Sequence, residues 1–205
     1  MSTEAVAKEF QDAFSFLCET EEEQKILANL AKQVEKIEKT AEGGLNISIK
    51  SVDSEEAEII ECEPAFVGKA EAWLPKSYVE IAKHFNSIIW ESCGGGSIGF
   101  GGLDETGKLA FDWNWEPEYL EETMEDEAKR EIYMKAVAAF GCAQNWLLFD
   151  PIKKNQRGEV ALVCWEHDCC EWNIVESADQ LSYGGVLLRL MAQYFLDYDF
   201  VGVYT

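Results

Sequence analysis

Cys164, His167, Cys169 and Cys170 are the residues of this chain whose types and spacing come nearest to chemistry. Spaced C-x-x-H-x-C-C, they offer thiolates and an imidazole for zinc, or a Cys–His pair for nucleophilic catalysis. Structural zinc usually joins two knuckles far apart in sequence, and no second C-x-x-C or H-x-x-H cluster exists here. Adjacent Cys169 and Cys170 on a strand would also point to opposite faces. A nucleophilic thiol needs a lowered pKa, whereas Glu166, Asp168 and Glu171 around it would raise one. The expectation is therefore no catalytic residue, no cofactor and no metal. A hydrolase using Cys169 or Cys170 with His167 stands as a third reading, and thiols inert to an alkylating probe would dispose of it.

A second candidate is Cys93–Gly102, C-G-G-G-S-I-G-F-G-G, in which Gly94, Gly96 and Gly99 satisfy G-x-G-x-x-G. Dinucleotide binding needs a strand before those glycines and a helix after them, so that the helix dipole holds the pyrophosphate. Here a helical pattern precedes and a strand-like one follows, and no Lys-Ser or Lys-Thr completes a phosphate loop. The stretch reads as a glycine loop. His84 sits among charged neighbours on a helix and reads as a solvent-facing or edge histidine.

The third candidate is a surface. Glu116, Glu118, Glu121, Glu122, Glu125, Asp126, Glu127 and Glu131 crowd into sixteen residues against only Lys129 and Arg130, just after Trp113 and Trp115. One reading is a solvated face at a helix start, where acids suit the dipole. The other is a docking surface for a cationic protein, with the two tryptophans as aromatic anchors.

Several elements must position these residues. Phe10, Phe14, Leu17, Ile26, Leu30, Val34 and Ile37 recur at three- and four-residue steps, predicting helices over residues 3–40, with Thr20 and Glu21–Glu23 capping a second one that ends near Gly43–Gly44. Leu45–Lys50 and Ala57–Glu63 flank a polar turn and predict a β-hairpin closed by Pro64. Tyr78, Ile81, Ala82, Phe85 and Ile89 make one face of the next helix. Ile98–Leu103 and Lys108–Trp113 predict a second hairpin about Asp104–Gly107. Tyr133, Val137 and Phe140 form a further core stripe, and Asn145–Asp150 a short strand stopped by Pro151. Glu159–Val175 is apolar on both faces up to Trp165, the pattern of a strand covered on both sides in mid-sheet, with a second strand from Trp172. Val186–Leu196 is a packed helix.

The composition sets limits. No window approaches a membrane span or a signal peptide, so the chain reads as cytosolic. Seven scattered cysteines read as buried reduced thiols. A net charge of −22 disfavours nucleic acid and anionic membranes and favours a basic protein partner.

Set in order, Leu74-Pro-Lys-Ser-Tyr78 leading into a helix that ends at Phe85-Asn86, the hairpin around Gly107, the strand at Trp146–Asp150, the Glu159–His167 strand, a polar segment and the Ala178–Leu196 helix resemble the SMI1/KNR4 family, the SUKH superfamily. The likeness covers about residues 65–197. It departs at Asn86-Ser87, where the family has Asn-Gly, and at the long acidic insertion. It implies a non-enzymatic α+β domain, a central mixed or antiparallel sheet flanked by helices, over residues 65–205, with residues 1–64 as a helical segment plus hairpin packed on it. It also implies an immunity-type protein that neutralises a cationic toxin, often a nuclease, by occlusion. The alternative is a regulatory or scaffold protein linked to cell-wall glucan synthesis. The family supplies no catalytic residues.

Overall fold

A computed structural model of the chain describes residues 2–92, 95–118, 120–121, 124–143, 145–166 and 171–200, with the side chains of 171, 172 and 174 left aside. The fold is α+β. Among the described residues nine strands form one antiparallel sheet in strict chain order: β1 (Val34–Lys39), β2 (Leu45–Lys50), β3 (Ala57–Cys62), β4 (Ile88–Glu91), β5 (Ser97–Phe100), β6 (Ala138–Cys142), β7 (Asn145–Lys154), β8 (Val160–Glu166) and β9 (Glu171–Ile174). Residues on both sides of Pro64 belong to this one sheet, because Cys62 of β3 pairs with Ile88 of β4.

Alternation gives the sheet two faces. Leu45, Ile47 and Ile49 of β2, Ile88 and Trp90 of β4, Leu147 and Phe149 of β7, and Leu162 and Cys164 of β8 point to one side and join the main core. Four helices cover that side: α1 (Thr3–Phe14), α2 (Glu21–Ala31), α3 (Lys76–His84) and α5 (Tyr183–Leu196). Trp146, Leu148, Val163 and Trp165 point to the other side and form a second cluster. The expectation that β8 is buried on both faces therefore holds, but its place is next to the end of the sheet, between β7 and β9.

Local chemistry explains the helix bounds. Thr20 caps α2 in a capping box, accepting from Glu23 N at 3.2 Å while the Glu23 carboxylate takes Thr20 N at 2.9 Å. The same carboxylate is buried against Arg189 of α5, with an N–O distance of 3.1 Å, so a paired charge ties α2 to the last helix.

Several expected elements are corrected. The helix predicted to run to Gly43–Gly44 stops at Ala31, and residues 34–39 are β1. A bulge explains the mimicry: the register shifts between Val34 and Lys36, so Val34 and Ile37 face the same side of a strand at helical spacing. Ile89 belongs to β4, since α3 ends at His84. The Tyr133–Val137–Phe140 stripe divides between a short helix, an exposed residue and β6, where another register shift falls between Ala138 and Phe140. β7 runs through Pro151, and Asp150 supports it from within by accepting N–H groups of Ile152 and Lys153. The second hairpin is reduced to a single Leu103–Leu109 bridge. There Asn86 replaces a strand, taking Leu103 N on its side-chain oxygen and giving its amide to Leu103 O. No helix among the described residues is long and apolar enough to cross a membrane.

Candidate functional site

Between β5 and β6 the chain leaves the sheet for residues 101–137, crosses the face carrying Trp146 and Trp165, and returns. The described turns and short helix of this excursion are each fastened by a particular group. Asp104 closes the first turn, its Oδ1 accepting from Thr106 N, Thr106 Oγ1 and Lys108 N. The Thr106 hydroxyl bond first, then the Lys108 N–H bond, hold its carboxyl below the ordinary value. Gly107, at φ +82°, is wedged against Lys69, where a Cβ would lie 2.1 Å from the carbonyl oxygen.

The second turn is the unusual one. Trp113 and Asn114 both have positive φ, +57° and +55°, and Trp115 N donates to Asp112 O at 3.0 Å. That is a mirror-image turn with a bulky residue where glycine, asparagine or aspartate is preferred, at about 1–3 kcal/mol for such a residue. The Trp113 ring makes it tenable. It lies flat against bare backbone: a Cβ on Gly141 would come within 2.2 Å of its Cε3 atom, and one on Gly101 within 3.0 Å of Cζ2. Trp146 Nε1 donates to Trp113 O at 2.7 Å, and Trp115 Nε1 to Ala136 O at 3.1 Å. The Trp115 ring sits 5.5 Å from Trp146 and 6.1 Å from Trp165.

Further along, Leu120 is buried in the same cluster. Arg130 gives its guanidinium to the carbonyls of Glu121 and Met124. Asp126 caps the short helix α4 (Glu127–Tyr133), and the Tyr133 hydroxyl donates to buried Asp150 at 3.4 Å.

This placement corrects the role expected of the tryptophans. Trp113 is 9 % exposed and Trp115 8 %, so neither is a surface anchor. Both point into the sheet, because Gly101, just past β5, and Gly141 of β6 leave room for an indole and Trp146 supplies a donor. Of the acids, Glu116, Glu118, Glu121, Glu125, Asp126 and Glu127 are all exposed, as is Glu131. Glu122 lies outside the described residues. Among the described residues the aromatic surface here is Phe111, 44 % exposed and 5.3 Å from the Trp113 ring. Sequence reading missed it by placing Phe111 within the Lys108–Trp113 strand of a hairpin.

The other candidates fare differently. His167, Asp168, Cys169 and Cys170 lie outside the described residues. Cys164 is buried among core side chains, facing away from Trp165. No group of three His, Cys, Asp or Glu residues among the described ones is arranged to hold a metal. Burial raises the Cys62 and Cys142 thiols well above the ordinary value, and lifts Cys18 to about 11 with help from the Glu23 charge. Gly99 lies within β5 rather than beneath a helix. Its φ is +125°, and a Cβ there would meet Ile88 O at 2.1 Å, so strand pairing accounts for that glycine. His84 ends α3, part-exposed and stacked on Phe16 at 4.0 Å.

Compared with family models, with curated proteins and with solved structures, the chain has no match in any of the three.

Proposed function

We propose that this chain is a non-enzymatic binding protein whose 101–137 excursion docks on a basic protein. One observation carries the reading: the excursion turns its indoles inward and its described carboxylates outward. Acids on a long loop are ordinarily mobile, and ordering them on binding is costly. Here buried tryptophans have already fixed the backbone, so docking sacrifices less freedom. Phe111 offers an apolar contact beside the acids. A net charge of −22 adds long-range steering of a cationic partner.

Within this reading, the SMI1/KNR4 resemblance makes a cytosolic immunity-type role the specific form, with the acidic ledge covering the basic active site of a toxin. The test is stopped-flow association with a basic nuclease over a range of salt. Neutralising Glu121, Glu125 and Glu127 together to Gln should slow association about tenfold or more, and neutralising Glu38, Glu55 and Glu61 should do little. Association that ignores salt, or that falls equally with both triple variants, overturns the docking surface. Binding that also blocks the nuclease fits the immunity form, and binding that leaves it active fits a regulatory or scaffold protein.

A further inference from the structure

The sheet ends at β1, which has β2 on one side and, among the described residues, no strand on the other. The bonding phase fixes which of its backbone groups face out. Thr40 N donates to Gly44 O and Lys50 N to Gln33 O, each at 3.0 Å. Counted back from Thr40, antiparallel alternation turns the N–H and C=O of Glu38 and Lys36 toward β2, and those of Lys39 and Ile37 outward. The bulge falls before Lys36, so residues 36–39 are a regular stretch of open edge.

Charge on an edge strand ordinarily keeps a second copy away, because like charges would meet. Here the order of the charges does the opposite. Glu35, Lys36, Glu38 and Lys39 are mirror-ordered in sign about Ile37, and Lys36 and Glu38 are exposed and 2.8 Å apart along the strand. With a second copy laid antiparallel and Ile37 facing Ile37, each Lys36 meets a Glu38, closing a ring of four alternating charges. Lys39 is likewise brought toward a Glu35. Centring the pairing on Lys36 or on Glu38 instead sets that residue against itself. The two intermediate registers set Glu35 against Glu38, or Lys36 against Lys39. One register therefore avoids like charges, and its centre is a residue whose backbone faces out. Charge order and bonding phase are independent, and they select the same alignment.

We propose that β1 pairs antiparallel with β1 of a second copy of this chain, with Ile37 on the two-fold axis, so that one sheet runs through the dimer. The two Ile37 residues exchange N–H···O=C bonds, and the Lys36–Glu38 ion pair forms twice across the axis. So short an interface is weak, and the −22 on each chain opposes it until salt screens charges beyond about 8 Å. Dilute chains are monomers, and the acidic ledge covers the other end of the sheet, so the ledge and the edge are tested separately.

Sedimentation equilibrium of the full chain at physiological salt, up to about 1 mM, should show monomer and dimer in exchange. Lys36→Glu and Glu38→Lys each set like charges together twice by symmetry, and each should raise the dissociation constant about tenfold or more. Net charge alone would give another result, since Glu38→Lys makes the chain less negative and would strengthen association. The two singly substituted chains mixed together should pair again, because glutamates then face lysines throughout. The doubly substituted chain should dimerise as wild type does. Both side chains are exposed, so these changes leave the monomer fold intact. Three results each overturn the proposal: a wild type that stays monomeric, single variants that associate as wild type does, or a mixture no more associated than its components.

Discussion

One line of residues runs across the back of the sheet from register partner to register partner: Glu38, Asn46, Glu61, Ile89, Gly99, Gly141, Trp146 and Trp165. At the β1–β3 end it is polar and open to water, with Lys36, Ser48 and exposed Ile59 around it. At the β6–β8 end it is indole, covered by the 101–137 excursion. Both ends are covered by helices on the other face and share the same antiparallel pairing, so neither layering nor pairing distinguishes them. Side-chain type at every second position does. A charged row is satisfied by water, whereas a row of tryptophans must be covered. Gly141, between the two ends, marks where cover begins, since its bare backbone is what Trp113 lies on.

The largest expected effect comes from removing the covered row. Trp146→Ala deletes a buried indole and the donor to Trp113 O, and should destabilise the fold by about 3–5 kcal/mol in denaturant melts. Ser48→Ala, at a polar back-face position of β2, should change stability by less than about 0.5 kcal/mol. Comparable losses from both would abolish the distinction between the halves. Gly141→Ala is the next test. Its methyl group would displace Trp113, at about 1–3 kcal/mol, and Trp fluorescence should report the shifted ring.

Asp104→Asn should act more weakly and only in one pH window. The Asp104 carboxyl is held low in the folded chain, so it contributes stability above its ordinary pKa and loses it as pH falls through the lower folded value. The difference between wild type and variant should be full at neutral pH and disappear in strong acid. The smallest effect on stability belongs to the ledge itself. Glu121, Glu125 and Glu127 neutralised to Gln should leave the melting midpoint nearly unchanged, because exposed carboxylates contribute little to folding.

Much of this was legible in the residues. The β2–β3 hairpin follows from clean alternation around a polar turn, the α2 start from Thr20 and Glu23, and the double burial of β8 from its unbroken apolar run. What misled was spacing that two structures share. Val34 and Ile37 stand three apart, as on a helix, yet a single bulged residue between them gives a strand the same face. Tyr133 and Phe140 likewise keep helical intervals across the junction of α4 and β6. The acidic ledge was legible as charge, but not the inward turn of Trp113 and Trp115. That depends on Gly101 and Gly141 lying opposite, one nearby in the chain and one far along it, and no local pattern joins them.

The strict order of the strands has a consequence for synthesis. Every strand pairs with its neighbour in the chain, so pairing can proceed as the polypeptide emerges, across short loops except where α3 and the 101–137 excursion intervene. The helix that seals the inner face, α5, is encoded after all nine strands. Until Leu196 has left the ribosome, a nascent sheet is without that apolar cover. During that interval the chain is exposed to misassociation and suited to chaperone capture.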